Sequence, residues 1–149
     1  MYKRHRVGLM LVIIILGLVS FCFKVDYAVI ASDGITVVSI ILAIYMTSFS
    51  GLVSSELAKK MQRKEDAELT GKSQLGVLKN YLNAAVCIGI VNIVIACITL
   101  IVFSKMELVI DKGCMYYLLS SCGSATLCGN IYLMFLLFRF MVNRQLWNK

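Results

Sequence analysis

Apolar residues fill four long stretches of this chain, roughly 7–23, 35–53, 81–103 and 114–138, and polar residues gather in the three breaks between them. A helix needs about 20 apolar residues to cross a hydrocarbon core about 30 Å thick, and each stretch approaches or exceeds that length. None of the four contains Lys, Arg, Asp or Glu. The pattern predicts an all-α integral membrane protein with four transmembrane helices, folded as a single domain over residues 1–149.

The four stretches differ in texture. In the first, only Gly8, Gly17 and Ser20 interrupt a large aliphatic surface, which suits lipid and places this helix on the outside of the bundle. The second carries Thr36, Ser39, Ala43, Thr47, Ser50 and Ser54 at spacings of 3, 4, 4, 3 and 4, one helical face made of small or hydroxylated residues. Such a face serves either as a seam between closely packed helices or as the lining of a pore. The third repeats the motif with Ala85, Gly89, Asn92, Ala96 and Thr99. An amide near mid-membrane requires a protein partner, so Asn92 reads as a cross-helix bond or as an ion or substrate contact. In the fourth, residues 120–130 read SSCGSATLCGN, with the overlapping strings Ser121–Ala125–Gly129 and Ser120–Ser124–Cys128. A helix small on nearly every side is expected inside the bundle or between subunits.

The breaks add local expectations. Ser-Asp-Gly at 32–34 suggests that Asp33 caps the second helix, with an ion or proton site as the sharper reading. No Gly or Pro intervenes between Ser54 and Leu69, so the second helix is expected to run on beyond the membrane. Thr70–Ser73 reads as a turn, and the third helix is expected to begin at Gln74, ahead of its apolar stretch. Gly71-Lys72-Ser73 resembles the end of a phosphate loop, but the required first Gly would fall at Asp66, so that motif is excluded. Phe140 and Trp147 at one membrane surface, and Tyr27, Tyr116 and Tyr117 at the other, suit headgroup belts.

Charge orients the chain. Twelve of its 15 Lys and Arg residues fall before the first stretch, in the central break or after the last stretch, against Lys24, Lys105 and Lys112 on the other side. That excess predicts both termini and the 54–80 break in the cytoplasm, with helices 2 and 3 extending into it. The net charge of +7 needs no nucleic-acid ligand, because these cations are membrane flanks and no basic stripe alternates with stacking aromatics. A cleaved leader is not expected, since Lys24 and Asp26 separate the long first apolar run from the tolerable site at Val29–Ala31.

Candidate chemistry is sparse. The six cysteines form no CxxC pair and the single His5 lies in the basic N-terminus, so neither a metal nor another cofactor is expected. Cys87, Cys97, Cys122 and Cys128 act as small apolar residues, whereas Cys22 and Cys114 share one surface and are candidates to pair. No nucleophile–His pair or buried carboxylate suggests an enzyme, and the uncharged, proline-free spans disfavour a coupled transporter.

Two functions remain. One is a scaffold or sensor in the membrane lipid that homo-oligomerises through its small faces and recruits a soluble cytoplasmic protein. Its basic platform would be Lys59, Lys60, Arg63, Lys64, Lys72, Lys79, Arg139 and Arg144, which also suits anionic lipid. The other is a pore-forming effector that depolarises the membrane. In its layout of basic N-terminus, tight outer hairpins, helical central break and basic tail, the chain resembles the small four-span membrane subunits of bacterial anti-phage systems, such as the membrane component of the Kiwa system. That resemblance implies a homo-oligomer, of tetrameric size, in the bacterial inner membrane, which senses phage-induced perturbation and recruits a soluble effector.

Overall fold

All four apolar stretches are helical in the structure, a computed structural model that describes residues 1–66, 71, 73–103 and 113–146. The long helices are α1 (Lys3–Cys22), α2 (Ala31–Val53), α4 (Gln74–Phe103) and α5 (Cys114–Leu146), with a short α3 (Glu56–Arg63) between α2 and α4. All four long helices are long and apolar enough to cross a membrane. Among the described residues the only β pairing is an isolated bridge between Glu65 and Ser73.

Two helix ends differ from expectation. Asp33 does not cap α2: the helix already begins at Ala31, so Asp33 sits in its first turn, and Ile30 occupies the cap position without a side-chain bond. The chain reaches α2 through a 3-10 turn, Tyr27–Val29, which is capped by Asp26 instead, its Oδ1 accepting the Ala28 N–H at 3.2 Å. At the other end, α2 stops at Val53 rather than running on. Ser54 Oγ donates to the Ser50 and Gly51 carbonyls (3.2 and 3.0 Å) and Ser55 Oγ to that of Leu52 (2.6 Å). Hydroxyls thus occupy carbonyls that a continuing helix would need, which is how serine competes with the ladder. The chain turns, and α3 buries Ala58 and Met61 in the bundle while Lys59, Lys60 and Arg63 stay exposed. A straight helix would have left those apolar side chains in solvent. The remaining part of that expected helix, 67–69, lies outside the described residues, as do Thr70 and Lys72 of the expected turn.

The third apolar helix starts at Gln74, as expected, and Ser73 Oγ caps it by accepting the Gly76 N–H at 3.2 Å. Ahead of it the chain doubles back, Gln74 N donating to the Lys64 carbonyl at 3.1 Å.

α5 is the hub, packing on α1 along one side and on α4 along the other. Half of its membrane-crossing window is buried, against 6% for α1, whose only buried residue is Leu9. α1 is therefore the outer helix, as its aliphatic surface suggests. Small residues bring it close to α5: Gly17 lies against Ala125 and Ser121, Gly129 against Ile13, and Ser121 Oγ donates to the Gly17 carbonyl at 2.5 Å. α1 ends in a backbone motif in which Val25 N reaches the Ser20 carbonyl (2.9 Å) and Lys24 N that of Phe21 (3.2 Å). This requires the left-handed conformation at Lys24 (φ 50°). At one end of the bundle Tyr2, Tyr81 and Phe140 meet ring to ring. At the other, the Tyr27 turn docks on α5.

Candidate functional site

The three small faces read from the sequence meet different fates. On α4, Ala85, Gly89, Asn92, Ala96 and Thr99 are all buried, and on α5 so are Ser120, Ser121, Gly123, Ser124, Ala125, Gly129 and Asn130, with Cys128 half-buried. These two faces close on one another and on α1. On α2, Thr36, Ser39, Ala43, Thr47 and Ser50 are all exposed. The helix packs instead through Ala31, Gly34, Val38, Ile41 and Tyr45. At 3.6 residues per turn the two α2 stripes point about 160° apart. The expected seam on α2 is therefore not a seam within the protomer. Its hydroxyls turn back on their own helix, Thr36 to the Ser32 carbonyl at 3.2 Å and Thr47 to that of Ala43 at 2.9 Å. That geometry satisfies the two threonine hydroxyls in an apolar medium.

The α4–α5 contact encloses a polar seam with Asn92 at its centre. Asn92 Nδ2 donates to the Gly123 carbonyl (2.9 Å) and to Thr126 Oγ1 (2.8 Å), and its Oδ1 accepts from the Tyr27 hydroxyl (3.3 Å). Tyr27, fully buried, drops from the 3-10 turn into the bundle over Gly123, where a Cβ would overlap its ring. Ser120 fastens the same turn, its Oγ accepting from Tyr27 N (2.6 Å) and donating to the Val25 carbonyl (2.7 Å). Asp26 receives the Tyr116 hydroxyl as well as capping the turn. Asn92 thus bonds across to α5 and to the hairpin, both of its amide hydrogens engaged and its oxygen accepting from Tyr27.

One turn from Asn92, Asn130 is the opposite case. Its amide is fully buried beside Gly89 and Leu42, yet neither Nδ2 nor Oδ1 has a hydrogen-bond partner. Only its backbone carbonyl is engaged, by the Tyr45 hydroxyl at 3.5 Å. Nothing in the sequence distinguishes the two asparagines.

The other end of the bundle carries most of the described cations. Lys59, Lys60, Arg63, Lys64, Lys79 and Arg139 are exposed on the elements gathered there, whereas Lys72 and the side chain of Arg144 lie outside the described residues, as does Trp147. Beneath them sits a cluster the sequence did not announce. Tyr2 donates its hydroxyl to buried Asp66 at 2.7 Å, and its N–H to the Tyr81 oxygen at 3.2 Å. His5 Nδ1 lies 2.6 Å from that same oxygen. The N-terminus, the 64–74 turn, α4 and, through Phe140, α5 are tied together at this point. The six cysteines are free thiols, Cys22 and Cys114 included. Among the described residues no three His, Cys, Asp or Glu side chains gather as metal ligands would.

Comparison of the chain with family models, curated proteins and solved structures finds no match.

Proposed function

We propose that this protein is a non-enzymatic membrane scaffold that self-associates through the outer face of α2 and presents its basic end to a soluble partner. One observation carries the reading: Thr36, Ser39, Ala43, Thr47 and Ser50 form a continuous small stripe directed away from the protomer's own core. Helices in lipid associate through small faces that allow close backbone approach. On the excess of flanking cations, the basic end and both termini face the cytoplasm of a bacterial inner membrane. Lys59, Lys60 and Arg63, held outward on α3, supply a surface for an acidic protein partner. The layout shared with anti-phage membrane subunits makes a phage-perturbed bilayer the trigger to test, and a tetramer the assembly size.

A pore-forming effector is the second reading, favoured by the same hydroxyls. The protomer core is filled by Val77, Ala85 and Leu133, all fully buried, so a pore would have to open between copies, lined by α2. Purification in mild detergent and reconstitution in dye-loaded vesicles separates the two. The scaffold is expected as a discrete oligomer with a co-purifying cytoplasmic protein and tight vesicles, and S39L/T47L is expected to change its oligomeric size. A monomeric wild-type protein would refute self-association, and a leak abolished by S39L/T47L would establish the pore.

A further inference from the structure

The hairpin between α1 and α2 exposes large apolar side chains while closing its backbone on itself. Phe23 is 79% exposed and Val29 77%, more than any large apolar residue along α1 or α2. Phe23, Lys24 and Val25 donate their N–H groups to carbonyls near the end of α1, and Ile30 donates to that of Tyr27. Tyr27 N–H goes to Ser120 Oγ and Ala28 N–H to Asp26 Oδ1. The charged side chains also have local company. Asp26 receives the Tyr116 hydroxyl, and the Lys24 ammonium lies 5.6 Å from the centre of the Tyr117 ring. A loop in water can leave its amides to the solvent, whereas one that meets them internally suits a medium poor in water.

The height of the hairpin follows from the helices it joins. Residues 34–53 of α2 form an uncharged run of 20, about 30 Å long at 1.5 Å per residue, which matches a hydrocarbon core. Asp33, exposed in the first turn, therefore marks the hydrocarbon edge. The helix extends beyond it only to Ala31, about 3 Å farther. On the other side, Tyr27 N and the Val25 carbonyl both bond to Ser120 Oγ, at 2.6 and 2.7 Å. Ser120 lies six residues inside the start of α5 at Cys114, about 9 Å along the helix. The turn is thus docked on the flank of α5 and does not stand above the bundle. That puts it in the headgroup layer, about 6 Å thick on each face. Tyr27, expected in a headgroup belt, is fully buried instead, so Phe23 and Val29 are the hairpin's large side chains most open to lipid at this height.

We propose that the hairpin is an interfacial anchor, with Phe23 and Val29 inserted where the headgroups meet the acyl chains of the nearer leaflet. Continuity favours lipid over a soluble protein as the partner: the exposed apolar faces of α1 and α2, Leu18 and Val37 among them, lead directly up to the hairpin. The inference rests on the membrane-spanning reading, and neither on self-association nor on which end faces the cytoplasm.

The test places one tryptophan at a time in the full-length protein, F23W or V29W in a W147F background, reconstituted in vesicles of phosphatidylcholine and phosphatidylglycerol. Lipid brominated along its chains quenches from within the leaflet, and iodide on both sides of the vesicle quenches from water. Each variant is expected to lose emission about twofold to bromolipid and little to iodide, as tryptophan at a membrane interface does. I14W, exposed midway along α1, is the lipid reference, and Q62W, exposed on α3, the aqueous one. Iodide quenching of both hairpin sites at the level of Q62W, with I14W still answering to bromolipid, would overturn the anchor and leave the spanning helices standing. An aqueous I14W would overturn both. Protection of the hairpin sites from both quenchers would also overturn the anchor, by placing protein on this face. The two sites are read independently, so poor folding of one variant leaves the other to decide.

Discussion

The α4–α5 seam and the outer face of α2 are built from the same residue types at the same helical spacing, yet one is the core of the bundle and the other its surface. In the seam, Asn92 bonds across to Gly123 and Thr126 of α5 and receives Tyr27 from the hairpin. On α2, Thr36 and Thr47 bond only to carbonyls of their own helix. The difference comes from the neighbours of each stripe. α2 has a second face, where Ile41 and Tyr45 provide large apolar area, and that face is the one buried. α4 and α5 approach through glycine and alanine, and Tyr27 fills the space that their small residues leave. A small stripe therefore marks where backbones can come close, and the large residues opposite decide whether they do.

The sharpest way to break this contrast is a matched pair of glycines. Gly123→Leu drives a side chain into the Tyr27 ring, whereas the same change at Gly51 meets nothing within 4 Å. Overpacking a filled core destabilises by about 1–3 kcal/mol and occasionally more, and this clash is with a ring held at both ends. Thermal unfolding in detergent is expected to show a large loss for G123L. G51L should stay within about 0.5 kcal/mol, as surface substitutions do. Equal effects at the two sites would mean that the hairpin does not dock through Tyr27.

Asn92→Leu comes next. It strands the Tyr27 hydroxyl, whose partner among the described residues is Asn92, and leaving a buried group unpaired costs about 1–3 kcal/mol. The same substitution at Asn130 has the opposite expectation, because its amide has no bond to lose. Removing an unsatisfied buried amide is expected to be neutral or to stabilise by about 1 kcal/mol. The unfolding midpoint should therefore fall in N92L and hold or rise in N130L. A clear loss in N130L would indicate an internal water serving that amide.

Much of this architecture was legible beforehand, because spans and small faces are local patterns. The four helices, the start of α4 at Gln74, the interior role of α5 and the outer position of α1 all follow from periodicity within one segment. The features missed are those in which a residue answers to a distant one. Tyr27 meets Asn92 across 65 positions and Tyr2 meets Asp66 across 64, and no periodicity encodes either. The break after α2 was missed for a related reason. Ser54 and Ser55 are compatible with helix, and the turn is favoured by what α3 can then bury, Ala58 and Met61. Likewise Lys24 carries no turn signal of its own, although the closure of α1 holds it at positive φ.

The smallest expected effect on the isolated protomer is also the most discriminating. Ala43 and Ala96 each occupy the middle of a small stripe, one exposed and one fully buried. Ala96→Leu should destabilise by about 1–3 kcal/mol, through overpacking beside Tyr27. Ala43→Leu should leave the unfolding midpoint of detergent-isolated monomer within about 0.5 kcal/mol of wild type. The same variant should shift the oligomer distribution in mild detergent, because a leucine on this face holds two backbones apart. Light scattering reads the second effect and thermal unfolding the first. Were A43L to leave both unchanged, the outer face of α2 would be a lipid surface, and the burden of assembly would pass to the basic end.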